Sequence, residues 1–195
     1  KEWHRWFMKW RNDEGAIFIT HPWEAGRDNA PDWDSAMAAI DPVGVGEYTR
    51  RDTSHVDASM RPTKEEYDRY VWLVQEGRKL NWDDAEMAKT HPLRVADPTM
   101  TFILLRANRD LTAIGEALGE EVSELESWTE TLRQGAARLR NPELGVFDAI
   151  DLATGKHTGN VSNASYLCWY GGIDDGTMLS HLDNAFSICR YPVPS

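Results

Sequence analysis

The chain has 195 residues, 41% of them hydrophobic, and a formal net charge of −11. This length and composition exclude a disordered chain and predict a single domain with a hydrophobic core. The negative charge argues against nucleic acid and anionic membrane surfaces as partners, because both are bound through Lys and Arg.

No apolar run is long enough to span a bilayer, and the N-terminus lacks the hydrophobic region of a signal peptide. The two cysteines, Cys168 and Cys189, have neither metal-binding nor disulfide spacing and are interpreted as buried free thiols. A cytoplasmic location is therefore expected.

The first sixty residues predict short elements and long loops. Residues 1–12 carry aromatic side chains at helical spacing, which predicts the end of a helix that has begun upstream. Residues 16–20 are expected to be extended and residues 32–40 to form a short helix. Residues 41–60 are polar and irregular, and a loop of this length is usually functional.

Three longer helices follow. One is predicted over residues 63–80, where Thr63 and Glu66 form a capping box. A second begins at the cap Asp97 and ends at Gly119, and a third covers residues 121–139. The apolar stripe that is expected to be buried on the second helix is Met100, Ile103, Leu104, Ala107, Leu111, Ile114 and Leu118.

The last fifty residues begin with extended chain. Residues 145–152 are short and apolar, and the turn residues after them, 153–156, predict a small β-hairpin. Residues 174–190 are expected to be helical and residues 191–195 extended. Helical hairpins with long loops at one end favour an all-α helical toroid with a small β-hairpin insertion over a four-helix bundle.

The loop from residue 21 to residue 34 is the chemically richest stretch. It reads His-Pro-Trp-Glu-Ala-Gly-Arg-Asp-Asn-Ala-Pro-Asp-Trp-Asp. Pro22 and Pro31 stiffen its ends, and Gly26 permits a backbone conformation that other residues resist. We interpret it as a rigid loop that presents Asp28 to a ligand.

Glycoside hydrolysis is the first chemistry that this loop suggests. It requires one carboxyl group to protonate the leaving oxygen and a second to act at the anomeric carbon or on its water. Asp28 is the candidate acid, and the flanking Trp23 and Trp33 would exclude water and stack on a sugar ring. Arg27 and Asn29 are suitable donors to hydroxyls. The plainer alternative is that Asp28 or Asp32 only caps the following helix.

Two other kinds of site are weaker alternatives. His21, Glu24, Asp28 and His55 are a conceivable metal set, but no metal-binding spacing is present, so neither a metal nor another cofactor is predicted. The Trp-rich loop would also suit a carbohydrate-binding module without catalytic activity.

The loop closely resembles the His-Pro-Trp-Glu-Ser-Gly-x-Asp-Asn-Ser-Pro-x-Trp-Asp signature of glycoside hydrolase family 63 and related trehalase-like (α/α)6 enzymes. The segments 50–57, 61–70 and 147–155 resemble most the bacterial mannosylglycerate and glucosylglycerate hydrolases. The chain departs from the signature at Ala25 and Ala30, where the family often has Ser.

The resemblance implies an inverting hydrolase of a small sugar substrate, in which Asp28 is the general acid. It also implies that Trp23 and Asn29 line the sugar subsite and that Arg61 and Tyr67 bind the glycerate carboxylate. Gly26 and Arg27 complete the expected substrate-binding set. The runner-up activity is that of another family 63 α-glucosidase.

The same resemblance places the general base on a glutamate near the end of the family's barrel. No residue of this chain matches it. Residues 1–195 are therefore expected to be a single fragment, roughly half of the twelve-helix catalytic domain, which begins and ends inside that domain. The isolated fragment is expected to have little or no activity.

Overall fold

The computed structural model describes residues 1–54 and 56–188, without the side chain of Phe186. Most of this part of the chain is helical. Its helices are α1 (Glu2–Trp10), α2 (Asp34–Ala38), α3 (Lys64–Lys79), α4 (Asp84–Thr90), α5 (Pro98–Leu118), α6 (Ser123–Arg138), α7 (Leu167–Tyr170) and α8 (Thr177–Ile188). Its strands are β1 (Asn12–Asp13), β2 (Ala16–Ile19), β3 (Val95–Ala96), β4 (Arg140–Asn141), β5 (Val146–Phe147), β6 (Ile150–Asp151) and β7 (Lys156–His157).

Five of the strands form one antiparallel sheet in the order β1-β2-β3-β6-β7. The predicted hairpin is β6–β7, in which Ile150 pairs with His157. The sheet extends beyond that hairpin, because β3 joins it to β2 through the pairs Phe18–Ala96 and Val95–Asp151. Strands β4 and β5 form a separate pair.

The predicted helix caps are present. The Thr63 hydroxyl accepts a hydrogen bond from the Glu66 backbone N–H, and the Glu66 carboxylate accepts one from the Thr63 N–H (2.7 Å). The Asp97 carboxylate accepts from the first-turn N–H groups of Thr99 and Met100, at 3.1 and 3.2 Å. Helix α5 ends in a left-handed glycine, as predicted.

The core lies where α5 and α6 pack against each other and against the buried strand β2. The predicted stripe on α5 is wrong in part, because Ile103, Ile114 and Leu118 are 41%, 55% and 73% exposed. The fully buried residues of α5 end at Asn108, so its C-terminal half extends past this core.

Other boundaries differ in detail. Helix α4 was not predicted, and the expected helix over residues 32–40 is a 3-10 turn (Pro31–Trp33) followed by α2. The helix expected over 174–190 begins at Thr177, and residues 189–195 lie outside the described part. Cys168 is buried and unpaired, whereas Cys189 lies outside that part. No helix of the described residues is long and apolar enough to cross a membrane.

The turn between β1 and β2 touches the backbone of α6. A Cβ atom at Gly135 would lie 1.8 Å from the carbonyl carbon of Gly15, and one at Gly15 would lie 2.1 Å from the Thr131 carbonyl oxygen. Both distances are far below van der Waals contact, so only glycine fits at either position.

We expect Gly135→Ala to lower the free energy of unfolding by about 2–3 kcal/mol, because the methyl group would meet the backbone of Gly15 and Ala16. Urea unfolding followed by circular dichroism measures this loss. Gly176→Ala is the matched control, since no atom lies within 4 Å of its Cβ position. Equal stability of the two variants would contradict the close approach.

Candidate active site

The loop that follows β2 is anchored on α3 through His21. The His21 Nδ1 atom accepts a hydrogen bond from the Trp23 backbone N–H (3.1 Å), and Nε2 lies 3.1 Å from the Tyr70 carbonyl oxygen. Burial lowers the pKa of His21, so the ring is neutral, with Nε2 as the donor. Gly26 has a φ of 67°, which is the left-handed conformation that favours glycine.

Asp28 has a fixed backbone and a free carboxylate. Its carbonyl oxygen accepts hydrogen bonds from the Tyr70 hydroxyl (2.6 Å) and from the Trp33 indole N–H (2.9 Å). The residue is half-buried, and its carboxylate has no hydrogen-bond partner among the described residues. Burial, with Asp28 and Asp34 nearby, raises the pKa of Tyr70 to about 12, so the hydroxyl remains a donor.

Tyr70→Phe is expected to lower the free energy of unfolding by about 1 kcal/mol, the usual contribution of one hydrogen bond. The Asp28 carbonyl keeps the Trp33 donor, which limits the loss. Urea unfolding of the variant checks this value, with Tyr170→Phe as the matched control, because that tyrosine is 50% exposed. An unchanged unfolding midpoint would mean that the Tyr70 hydroxyl does not hold the loop.

Two interpretations from the sequence are wrong at this loop. Trp33 is 1% exposed and donates to backbone, so it is no platform for a sugar ring. Asp32 is also buried, where it accepts from Arg27 and Ser162 (2.8 Å). Neither Asp28 nor Asp32 caps α2, whose N-cap is Trp33 without a side-chain hydrogen bond.

Arg27 lies inside the protein. Its guanidinium contacts Asp32 (3.2 Å), Asp97 (3.4 Å) and the Asn163 side-chain oxygen (3.0 Å). These contacts join the loop to the first turn of α5, and they give no support to Arg27 as a donor to sugar hydroxyls. Complete burial raises the pKa of Asp97 to about 6, although the Arg27 charge opposes this shift.

Aromatic side chains continue the site from the loop onto α3. Trp23 is 46% exposed, and its ring centroid lies 6.4 Å from that of Tyr67 and 5.9 Å from that of Tyr70. The Tyr67 ring stacks on Tyr48 at 5.7 Å. Trp23 also lines a cavity of about 290 Å³ together with His21.

A larger cavity of about 490 Å³ opens between the loop, α2 and the start of α3. Of the predicted site residues it brings together Asn29 and Arg61; the other five, Trp23, Gly26, Arg27, Asp28 and Tyr67, do not line it. Its remaining lining residues are Trp33, Asp34, Met37, Ala38, Ser59, Met60, Pro62, Glu66, Arg69 and Tyr70.

Several polar residues of this wall were missed in the sequence. Glu66, Arg69 and Tyr70 are three and four positions apart on α3 and therefore share one face. This spacing of polar side chains, close to Arg61 in the sequence, could have identified them as one wall of the site. Asp34 is the last residue of the loop. Partial burial raises the pKa of its carboxyl group, and the nearby carboxylates of Glu66 and Asp32 raise it further.

Two of the four candidate metal ligands, Glu24 and His21, are engaged in other contacts. The Glu24 carboxylate accepts from the Thr20 N–H (3.0 Å) and hydroxyl (2.8 Å), and His21 bridges the loop to α3. His55 lies outside the described residues. Among the residues that are described, no group of three His, Cys, Asp or Glu side chains is placed to hold a metal ion.

A family model described as the mannosylglycerate hydrolase MGH1-like glycoside hydrolase domain matches residues 1–195. The chain is 38% identical to mannosylglycerate hydrolase MGH1 of Selaginella moellendorffii, over 91% of this chain and 37% of that protein. It is 36% identical to mannosylglycerate hydrolase of Thermus thermophilus, over 87% and 41%. Glucosylglycerate hydrolase of Mycolicibacterium hassiacum is 35% identical, over 79% and 36%.

Solved structures agree with these relatives. A GH63 mannosylglycerate hydrolase from Thermus thermophilus, in complex with Tris and D-glycerate, superposes with a TM-score of 0.94 at 33% identity. The match covers 98% of this chain and 48% of that one. The same enzyme in complex with glucose gives 0.92. The predicted fold class, all-α and part of an (α/α)6 toroid, is thereby confirmed.

The fold and the relatives define a glycoside hydrolase domain of the class to which the solved GH63 structures belong. Within that class, the chain belongs to the mannosylglycerate hydrolase MGH1-like family. It spans about two fifths of the length of the curated relatives and about half of the solved chains that it matches.

Proposed function

We propose that this chain forms the acid half of the active site of an inverting glycosidase that acts on α-linked mannosylglycerate or glucosylglycerate. The observation that carries the proposal is Asp28, whose backbone is held by two side-chain donors while its carboxylate remains unpaired among the described residues. A general acid needs this combination of fixed position and free carboxyl group.

The sugar and its aglycone are assigned to neighbouring surfaces. Trp23 and Asn29 would line the sugar subsite, because an exposed indole and a side-chain amide suit a sugar's faces and hydroxyls. Arg61 and Tyr67 would hold the glycerate carboxylate. Solved relatives in complex with D-glycerate and with glucose support this class of ligand.

Arg27 and Gly26 would serve the site indirectly. We assign Arg27 to holding the loop through its buried ion pairs, and Gly26 to the turn that precedes Asp28. Neither assignment requires contact with substrate.

An inverting reaction needs a second carboxylate about 6.5–9.5 Å from the first, to activate water. Glu66 lines the cavity, but its carboxylate is engaged in the capping box of α3. We assign the general base to no described residue and propose that it comes from the part of the relatives that this chain does not match.

Catalysis is tested in two proteins. The 195-residue chain alone should show little or no turnover of either glycerate-linked sugar. A completed enzyme, in which this chain replaces the matching half of the Thermus thermophilus hydrolase, should turn over at least one of them. Turnover by the chain alone at the rate of a full-length relative would refute the proposal that the general base lies outside this chain. Sugar binding without turnover in the completed enzyme would favour a non-catalytic carbohydrate-binding module.

Arg61→Ala in the completed enzyme is expected to weaken binding of the glycerate-linked substrate by about 100-fold, because a charge-assisted bidentate contact is lost. Binding of a neutral disaccharide should change less than about twofold. Arg51→Ala is the matched control, since that arginine is exposed and forms no side-chain hydrogen bond or ion pair with a described residue. Equal losses on both ligands would favour another family 63 α-glucosidase.

A further inference from the structure

Arg61 is the cation of the larger cavity that keeps an open donor edge. Arg69 also lines this cavity, but it donates to Glu65 (2.7 Å) and to the Ile40 carbonyl oxygen (3.2 Å). Arg61 donates through Nε to Asp52 (3.3 Å), and its Nη1 and Nη2 atoms have no partner among the described residues. Those two atoms can bind a carboxylate end-on through two parallel hydrogen bonds.

Asp52 is itself fixed by a second arginine. The Arg50 Nε atom donates to one Asp52 oxygen (3.0 Å), and Arg50 Nη2 donates to the other. Arg50 Nη1 donates to the Pro62 carbonyl oxygen (2.8 Å), beside Arg61 in the chain. The Asp52 side chain is only 11% exposed, so its position is defined on several sides.

The same arginine supports Tyr67. The Arg50 guanidinium carbon lies 4.4 Å from the centre of the Tyr67 ring, within the range of a cation–π contact. The two residues proposed to hold glycerate therefore rest on one Arg50–Asp52 pair, Arg61 through Asp52 and Tyr67 through Arg50.

The cluster of Arg50, Asp52 and Arg61 has two positive charges and one negative charge. One net positive charge remains, which matches a single carboxylate. We propose that Asp52 positions Arg61 and limits the charge of this subsite, so that it accepts a monoanionic aglycone in preference to a dianionic one. The inference rests on the proposed function, because it takes Arg61 to be the residue that binds the aglycone.

Two small acids of similar shape and different charge are compared as ligands. D-glycerate carries one carboxylate, and tartronate has a second carboxylate in place of the CH2OH group. Isothermal titration of the chain with each acid gives a selectivity, defined as Kd for tartronate divided by Kd for D-glycerate. Asp52→Asn removes the charge and keeps an oxygen acceptor, and it should lower this ratio about tenfold, as expected for one unit charge a few ångströms away near a protein surface. The effect should shrink at high salt.

Asp52→Ala tests positioning, because it removes the acceptor as well. It should bind D-glycerate about fivefold more weakly than Asp52→Asn does, the cost of one hydrogen bond that no longer orients Arg61. Asp41→Asn is the matched control, an exposed aspartate in the same loop that forms no side-chain hydrogen bond or ion pair with a described residue. Its selectivity should equal that of the unsubstituted chain.

The outcomes are distinguishable. An unchanged selectivity in Asp52→Asn would overturn the role of Asp52 in setting the charge, and equal D-glycerate affinities of the Asn and Ala variants would overturn its role in positioning. Absence of D-glycerate binding by the unsubstituted chain, or binding that Arg61→Ala leaves unchanged, would instead refute the proposed glycerate subsite, and the role of Asp52 with it.

Discussion

Asp28→Asn in the completed enzyme is expected to lower kcat on the glycerate-linked substrate about 1000-fold, within the range that general acid catalysis contributes. The amide keeps the shape of the side chain but cannot protonate the leaving oxygen. The backbone contacts that hold the loop reach the Asp28 carbonyl oxygen and not its carboxylate, so they should survive the substitution. Binding of D-glycerate should therefore stay within about threefold.

A glycosyl fluoride distinguishes loss of the acid from general damage. Fluoride departs without needing a proton, so Asp28→Asn should retain far more of its activity on this substrate than on the natural one. Steady-state kinetics on both substrates make the comparison. Equal losses on both would contradict the role of acid. If Asp34→Asn shows the selective loss instead, the acid is the other carboxylate at the end of the loop.

Local signals in the sequence predicted the long helices well. The Thr63–Glu66 capping box and the Asp97 cap involve residues within three positions of one another, so their geometry is set by the adjacent chain. The glycine that ends α5 is equally local. The alternation of helical hairpins and long loops favours a toroid, and the resemblance identifies it as part of an (α/α)6 toroid.

The sheet was predicted only at its hairpin. Strands β2, β3 and β6 come from positions about 17, 95 and 150 and pair across other elements. Most of its strands have two residues, too few to show an alternating pattern. The predicted burial of Ile114 and Leu118 was wrong for a related reason. Periodicity shows which residues share a helix face, but it does not show how far along the helix the packing partner extends.

The candidate site was predicted better in its chemistry than in its geometry. The loop does carry a free carboxylate at Asp28, and Arg61 does line a cavity. Trp33 and Arg27 turn inward, although the sequence suggested contact with sugar. Their residue types suit both roles, and for Arg27 the choice depends on Asp97, 70 positions away along the chain.

Arg27→Met is expected to lower the free energy of unfolding by about 3–5 kcal/mol, the usual loss when one partner of a buried ion pair is removed. Methionine fills a similar volume but leaves Asp32 and Asp97 without their common cation, and both carboxylates are almost fully buried. Urea unfolding at about pH 8 measures the loss. Arg78→Met, on the exposed side of α3, is the matched control and should change stability by less than about 0.5 kcal/mol.

The loss should also depend on pH in a defined direction. The pKa of Asp97 is raised from 3.8 to about 6 by burial, so the folded state holds a proton that the unfolded state releases between these values. Stability from this group is present below pH 3.8 and is lost as the pH rises through about 6. Without Arg27 the pKa of Asp97 rises further, so Arg27→Met should cost more at about pH 8 than at about pH 5. Adding Asp97→Asn should recover part of the loss at the higher pH, because the buried charge is gone. A loss that is independent of pH and unaffected by Asp97→Asn would show that packing of Arg27, and not its charge, holds the loop.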